Sequence, residues 1–332
     1  MANNVSDSRT IASLLASTLE NTMMSNVVQD AIFDAMPLTR RLREAGQLKV
    51  LSGGERIRLS IDYAKNTTAS SYNDLEQLNV TRAQTQTSPL FNWKQYSASV
   101  VISGREMRVN KDNRSKLFDL LEARLNNAAM SLADVITTGL YSDGTGNGSK
   151  NITGLEAAIE DVPGTTVGSY ATVPVTNTAW RNKVATTVGA AAVNLAPNLR
   201  SVSNQCSQGS EGFDSMPNLY ITTRTIHESY EATLQPQVRY EQNPQGGADG
   251  GISTLLFRGQ PFIWSDYCTS GNVYVLNTNH MFLYVHEDAN FSETDEGLQK
   301  PVNQDSLVTQ MLVMGNFAVN NRRKLGKLTG VS

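Results

Sequence analysis

Between Asp112 and Leu140 the side chains of Leu117, Leu121, Leu125, Ala128, Leu132 and Val135 recur at helical spacing. At 3.6 residues per turn they fall within an arc of roughly 80°. Asp119, Asn126 and Thr137 fall on the far side, and Leu120 and Met130 lie off the stripe. The spacing predicts one helix about 43 Å long, well over twice the ordinary length. Everything else in the chain must be placed around that rod.

Strand signals flank it. "QLKVLSGGERIRLSIDYA" sets β-prone runs on either side of Gly53-Gly54, which predicts a hairpin. "KNTTASSYNDLEQLNVTRAQTQTSPL" is polar and owns no core, and "FNWKQYSASVVISG" returns to strand. In that strand Phe91 and Trp93 share one face, whereas Tyr96, Ala98, Val100 and Ile102 share the other. Such a switch marks a bulge or a strand passing between two environments. Residues 47–103 thus read as a two-stranded excursion with a polar tip, marginal in water on its own. Ahead of it, Ile11, Leu14, Leu15, Leu19 and Met23 make residues 8–24 a one-faced helix. "SNVVQDAIFDA" is a second helical stretch, and Pro37 opens a third that Gly46 closes. These apolar faces have no strand nearby to cover and must find a surface elsewhere.

Beyond the rod, residues 151–300 mix short elements. Helices are expected in "TAWRNKVATTVGAAAVNL" and "RTIHESYEATLQ", and a hairpin in "NVYVL-NTN-HMFLYV". "DSLVTQMLVMGNFAV" is apolar on both faces, as a strand buried within a sheet should be. The fold class is α+β.

The stretch that most resembles machinery is "YSDGTGNGSKNITGL", residues 141–155. A phosphate-binding loop needs Gly before its Lys and a strand before the loop. Here Ser149 precedes Lys150, and the stretch follows a helix. A calcium loop starting at Asp143 would put Thr145 at its third position and Gly154 where a bidentate Glu belongs. The stretch therefore reads as a helix end followed by a glycine turn. His280 and His286 are roughly 20 Å apart on an extended strand, too far to share a metal. Cys206 and Cys268 form no paired motif and imply no disulfide framework, which fits a reducing compartment. Lys65 and Lys94 with Asn316, Asn320 and Asn321 are chemically capable of isopeptide bonds, but read as ordinary surface residues. No cofactor, metal or catalytic set is expected, and the chain does not read as an enzyme.

The 28 basic and 31 acidic residues give a net charge of −3, without the basic stripe of a dedicated nucleic-acid binder. The charge is segregated, however. "HEDANFSETDE" carries Glu293 and Asp295 among five acids and no base, and "NNRRKLGKLTGVS" carries Arg322, Arg323, Lys324 and Lys327 and no acid. Segregation of this kind is solvated surface or, in a self-associating protein, complementary patches on neighbouring copies. No apolar run is long enough to cross a bilayer, and the N-terminus does not read as a secretory signal.

The order of these parts resembles the major capsid protein of tailed bacteriophages, the Hong Kong 97-type fold. "AIFDAMPLTRRLREAGQLKVLSGGERIRLSIDYAKNTTASSYNDLEQL" resembles the family's arm-to-loop region, and "FNWKQYSASVVISGREM" the strand leading back to its long helix. "LFDLLEARLNNAAMSLADVITTGLYSDGTGNGSKNITGLEAAI" is similar to its spine helix and the turn after it. "PNLYITTRTIHESYEATLQPQVRY" and "VYVLNTNHMFLYVHEDANF" resemble pieces of its central domain. The resemblance implies an N-terminal arm over residues 1–46 and an extended loop over 47–103 lying on an adjacent subunit. It implies a peripheral domain from 104–150 and 295–332, and an axial domain from 151–294. Implied contacts between subunits are Ile11, Leu14, Leu15, Leu19 and Met23 on the arm, Tyr63, Tyr72 and Leu75 on the loop, and Arg322, Arg323, Glu293 and Asp295 in the charged segments. Implied partners are further copies in pentamers and hexamers, a portal, a separate scaffolding or decoration protein, and packaged double-stranded DNA held without sequence preference. The implied location is the virion, assembled in the host bacterial cytoplasm, with no membrane. Alternatives are an encapsulin-like or gene-transfer-particle shell, and a soluble nucleotide-binding enzyme resting only on the glycine stretch.

Overall fold

The structure, a computed structural model, describes residues 36–62, 64, 66–82, 84–110, 114–163, 169–174, 178, 180–186, 188–207, 216–234, 255–293 and 299–332. The first elements are α1 (Pro37–Glu44), β1 (Leu48–Leu51), β2 (Arg56–Arg58), β3 (Ile61–Asp62), β4 (Gln86–Thr87), β5 (Leu90–Asn92) and β6 (Lys94–Ser103). Then come α2 (Gly104–Val109), α3 (Arg114–Tyr141), α4 (Leu155–Ala158), β7 (Ser169–Tyr170), β8 (Val173–Pro174), β9 (Lys183–Ala185) and α5 (Ala191–Cys206). The remainder is β10 (Leu219–Thr222), α6 (Arg224–Leu234), β11 (Leu256–Phe257), β12 (Gln260–Trp264), β13 (Val273–Leu276), β14 (Met281–Glu293), β15 (Ser306–Val319) and β16 (Gly326–Leu328). The described residues divide into two compact units, one from 36–54, 93–153 and 283–317, the other from 55–92, 154–282 and 318–332.

The first unit is built on the rod. Helix α3 runs for 28 residues and packs along β6. Leu121, Leu125, Ala128 and Leu132 are buried, as their spacing predicts, and the stripe continues through Ala133, Ile136 and Leu140. Two expectations fail at its C-terminal end. Val135 is 49% exposed, because the stripe steps by four residues from Leu132 to Ile136. Thr137 is buried, because Met36 lies over it, and its hydroxyl donates to the Ala133 carbonyl at 2.8 Å. The sheet beside the helix has the order β1-β14-β15-β6. In it β15 is antiparallel to β6 from Ser306↔Ser103 to Gly315↔Lys94. An interior place for β15 is what its two apolar faces require. Gly315 is needed there: a Cβ would stand 2.5 Å from the Tyr284 carbonyl oxygen. Helix α1 begins at Pro37 and ends at Glu44, and Gly46 beyond it (φ 67°) donates its N–H to the Arg43 carbonyl, closing the helix as expected.

The second unit holds a six-stranded sheet, β11-β12-β10-β13-β16-β9. Leu195, Leu199, Val202 and Cys206 of α5 and Ile226 and Tyr230 of α6 form one core with Tyr220, Phe262, Val273, Val275 and Leu328 of the sheet. A ribbon of two short pairs, β2–β5 and β3–β4, carries the polar loop of residues 66–85.

Two predicted hairpins do not form. Strand β1 pairs in parallel with β14 (Leu48↔Leu283), and β2 pairs with β5. Gly53 and Gly54, at φ 151° and 115°, carry the chain onward instead of reversing it. Likewise β13 lies between β10 and β16, whereas β14 belongs to the four-stranded sheet. Between them the buried Asn277 redirects the chain, its side-chain oxygen accepting from the Asn279 N–H at 3.2 Å. The switch of apolar face near residue 93 is a passage between environments: the strand breaks at Trp93, with β5 paired to β2 and β6 to β15. The excursion is thus shorter than 47–103, since β6 is a strand of the four-stranded sheet. The helices expected before residue 36 lie outside the described residues.

Candidate assembly surfaces

The ribbon starts from a firm base. Ile57 and Phe91 are buried and directly paired across β2 and β5. The Phe91 ring meets Tyr170 edge-on at 5.5 Å, and the Leu90 N–H donates to the Ala171 carbonyl at 2.9 Å. Beyond β3 and β4 the support ends. Short side-chain turns shape the loop: Asn66 Oδ1 accepts from the Thr68 N–H at 3.0 Å, and Asn79 Oδ1 from the Thr81 N–H at 3.1 Å. Tyr72, Leu75, Leu78 and Val80 stand in solvent there, Leu75 completely. Four large apolar side chains thus stand exposed on one otherwise polar loop. Tyr72 and Leu75 are the residues singled out in the sequence. Leu78 and Val80 were readable by the same sign, an aliphatic side chain inside a polar run. Tyr63 and the arm residues Ile11, Leu14, Leu15, Leu19 and Met23 lie outside the described residues, as do Asp295 and the side chain of Glu293.

The basic C-terminal run is corrected. Arg322 is wholly buried within its own subunit and offers nothing to a neighbour. Its Nε donates to the Ala158 carbonyl at 2.6 Å, its Nη2 lies 3.3 Å from Glu160 Oε1, and its Cζ sits 4.8 Å above the Tyr170 ring. Burial lowers its pKa and Glu160 opposes that shift. Lys327 is buried too, with Nζ 2.5 Å from Asp161. Two consecutive acids therefore take two of the run's cations, and Arg323 is only half-exposed. The segregation of charge seen in the sequence is in this part an intramolecular pairing across more than 150 positions.

Residues 141–155 are a turn. Gly144, Asn147, Gly148 and Ser149 all take positive φ. Asp143 accepts from the Thr145 N–H at 2.9 Å, which holds its carboxyl below the ordinary range. Gly144 is required, since a Cβ would lie 2.9 Å from the Ile152 carbonyl. The Lys94 ammonium donates to the Ser149 carbonyl, so the turn is tied to β6. No group of side chains suited to a metal ion occurs among the described residues. His227 stacks on Phe262 at 5.7 Å, His280 bonds Asn320 at 2.8 Å, and His286 meets the edge of Trp93 at 5.6 Å. Asn316 is buried and accepts from the Thr153 N–H at 3.1 Å, so it is not the surface residue expected. Burial pushes both Cys206 and Cys268 thiols up to about 12, far from a reactive thiolate.

No described helix is long and apolar enough to cross a membrane. No protein-family model matches the chain, and no curated protein matches it. Solved structures do. The chain is similar to the capsid asymmetric unit of cyanophage A-1(L), at 12% identity and TM-score 0.60, covering 87% of this chain and 93% of that one. It is similar to the capsid of an empty GTA particle, at 11% identity and TM-score 0.53, covering 87% and 89%. It is also similar to the holo-SrpI encapsulin complex of Synechococcus elongatus PCC 7942, at 12% identity and TM-score 0.50, covering 88% of each. The chain has the Hong Kong 97-type capsid fold.

Proposed function

We propose that this chain is the major capsid protein of a tailed double-stranded DNA bacteriophage, closing with many copies of itself into an icosahedral head. One observation carries the reading: a capsid fold over most of the chain coexists with a long polar loop that exposes Tyr72, Leu75, Leu78 and Val80. In this reading the unit built on α3 is the peripheral domain and the unit built on the six-stranded sheet is the axial domain. Residues 1–46 are the arm, and the ribbon is the extended loop reaching a neighbour. Pentamers and hexamers sum many modest contacts into a stable shell. A portal and a scaffolding or decoration protein complete the particle, which assembles in the host cytoplasm. The net charge of −3 suits an inner wall that releases packaged DNA. The chain acts as a structural protein, not an enzyme.

The likeness to an encapsulin supports a second reading, a shell around protein cargo. Contents separate the two. Particles from cells producing the protein with its native partners should protect long double-stranded DNA from nuclease. Particles that hold a co-purifying protein and no long DNA would assign the shell to the second reading.

A further inference from the structure

Arg322 is wholly buried and presents a fork of N–H donors that the interior must satisfy. Its Nε makes one short bond, to the Ala158 carbonyl at 2.6 Å. Nη2 has only long contacts, 3.3 Å to Glu160 Oε1 and 3.5 Å to Asn182 Oδ1. Nη1 has no hydrogen-bond partner among the described residues. Three further buried atoms nearby share that state: Glu160 Oε2, the Tyr170 hydroxyl and Trp180 Nε1. Protein interiors leave few such atoms, and each carries the cost of its lost hydration.

The four atoms belong to one cluster of side chains. The Arg322 guanidinium carbon lies 4.8 Å above the Tyr170 ring, and the Trp180 ring centroid is 6.5 Å from that of Tyr170. Glu160 Oε2 belongs to the carboxylate that Nη2 already meets. Burial raises the pKa of the Tyr170 hydroxyl and the Arg322 charge opposes the rise, so that oxygen lies within reach of the guanidinium. Tyr170 and Trp180 are 5% and 2% exposed, so bulk solvent does not serve them. The side chains come from separate segments: the stretch after α4, the region of β7 and β8, and the tail after β15.

Donors and acceptors together select the ligand. Arg322 Nη1 and Trp180 Nε1 only donate, an ionised Glu160 Oε2 only accepts, and the Tyr170 hydroxyl does either. An anion would face the Glu160 carboxylate and could give Oε2 no proton. A cation would face the guanidinium and find no lone pair on either nitrogen. An apolar guest would leave all four atoms unpaired. A small neutral molecule that both accepts and donates fits, and water is that molecule. We infer that this cluster is a binding site for ordered internal water, which accepts from Arg322 and Trp180 and donates to Glu160, with the Tyr170 hydroxyl completing its shell. Held there, the water bridges the three segments and fastens the tail beside the ring on which Phe91 of the ribbon rests.

A crystal structure of the unassembled subunit, or a particle reconstruction, at a resolution that shows water should place a peak at this site. The peak should lie within hydrogen-bond distance of Arg322 Nη1 and of two of the other three atoms. Tyr170→Phe deletes only the hydroxyl, and urea denaturation of the unassembled subunit should show the folding constant falling about fivefold, the worth of one neutral hydrogen bond. In a dry site the same change removes an unpaired hydroxyl, and stability would stay level or rise. An unchanged or higher midpoint would therefore overturn the inference. So would a map with a protein side chain, or no density, in that place, and the map decides alone if Tyr170→Phe does not fold. Both measurements can be made on a subunit that forms no shells, so the inference stands apart from the capsid reading.

Discussion

Arg322→Ala is expected to destabilise the protein by about 3–5 kcal/mol, the cost of leaving one member of a buried ion pair without the other. The loss has three sources. Glu160 keeps a charge in a half-buried position without its cation, the Ala158 carbonyl loses its donor, and the Tyr170 ring loses the guanidinium 4.8 Å above it. Arg322→Lys should not rescue, because an ammonium on a flexible stem cannot both stack on the ring and serve two acceptors. Arg322→Met combined with Glu160→Leu should recover most of the loss, since a matched apolar pair removes both desolvation costs. Urea denaturation of the unassembled subunit reads all three. A loss below about 1 kcal/mol for Arg322→Ala would mean that the arginine is solvated, as surface pairs are.

Ending the chain after Val319 should have a larger effect still and abolish folding of the six-stranded unit. Strand β16 lies between β13 and β9, so its removal splits the sheet. Leu325, Leu328 and Val331 leave the core with it. At about 1.5–3 kcal/mol for each buried aliphatic, before counting Arg322 and Lys327, the loss approaches the whole stability of an ordinary domain. The truncated chain should lack a cooperative thermal transition for this unit, and a transition matching the parent's would refute the placement of β16. A tail that the sequence presents as a basic surface run is, in the fold, an interior strand with its flanks.

That contrast shows where the sequence was readable. Helix α3, the cap at Gly46, the interior strand β15 and the break at Trp93 are all written in local periodicity or in one glycine, and they were legible. The partners of β1, β13 and β14 were not, because each pairs with a segment far away and the nearer β-prone run was the tempting choice. Arg322 belongs to the same class: its acid, Glu160, lies 162 positions earlier, out of reach of any charge-run argument. Thr137 reads as surface on a helical wheel and is interior only because Met36 covers it. Of the residues proposed as contacts between subunits, Tyr72 and Leu75 are exposed and Arg322 is buried. The place of β6 at the end of its sheet had no sequence mark, since it is a property of sheet order.

Negative-stain electron microscopy of the full-length protein, purified and concentrated with any scaffolding partner it requires, tests the central claim most directly. The account predicts closed icosahedral shells of uniform size. A monodisperse monomer that forms no shells under any of these conditions would contradict it.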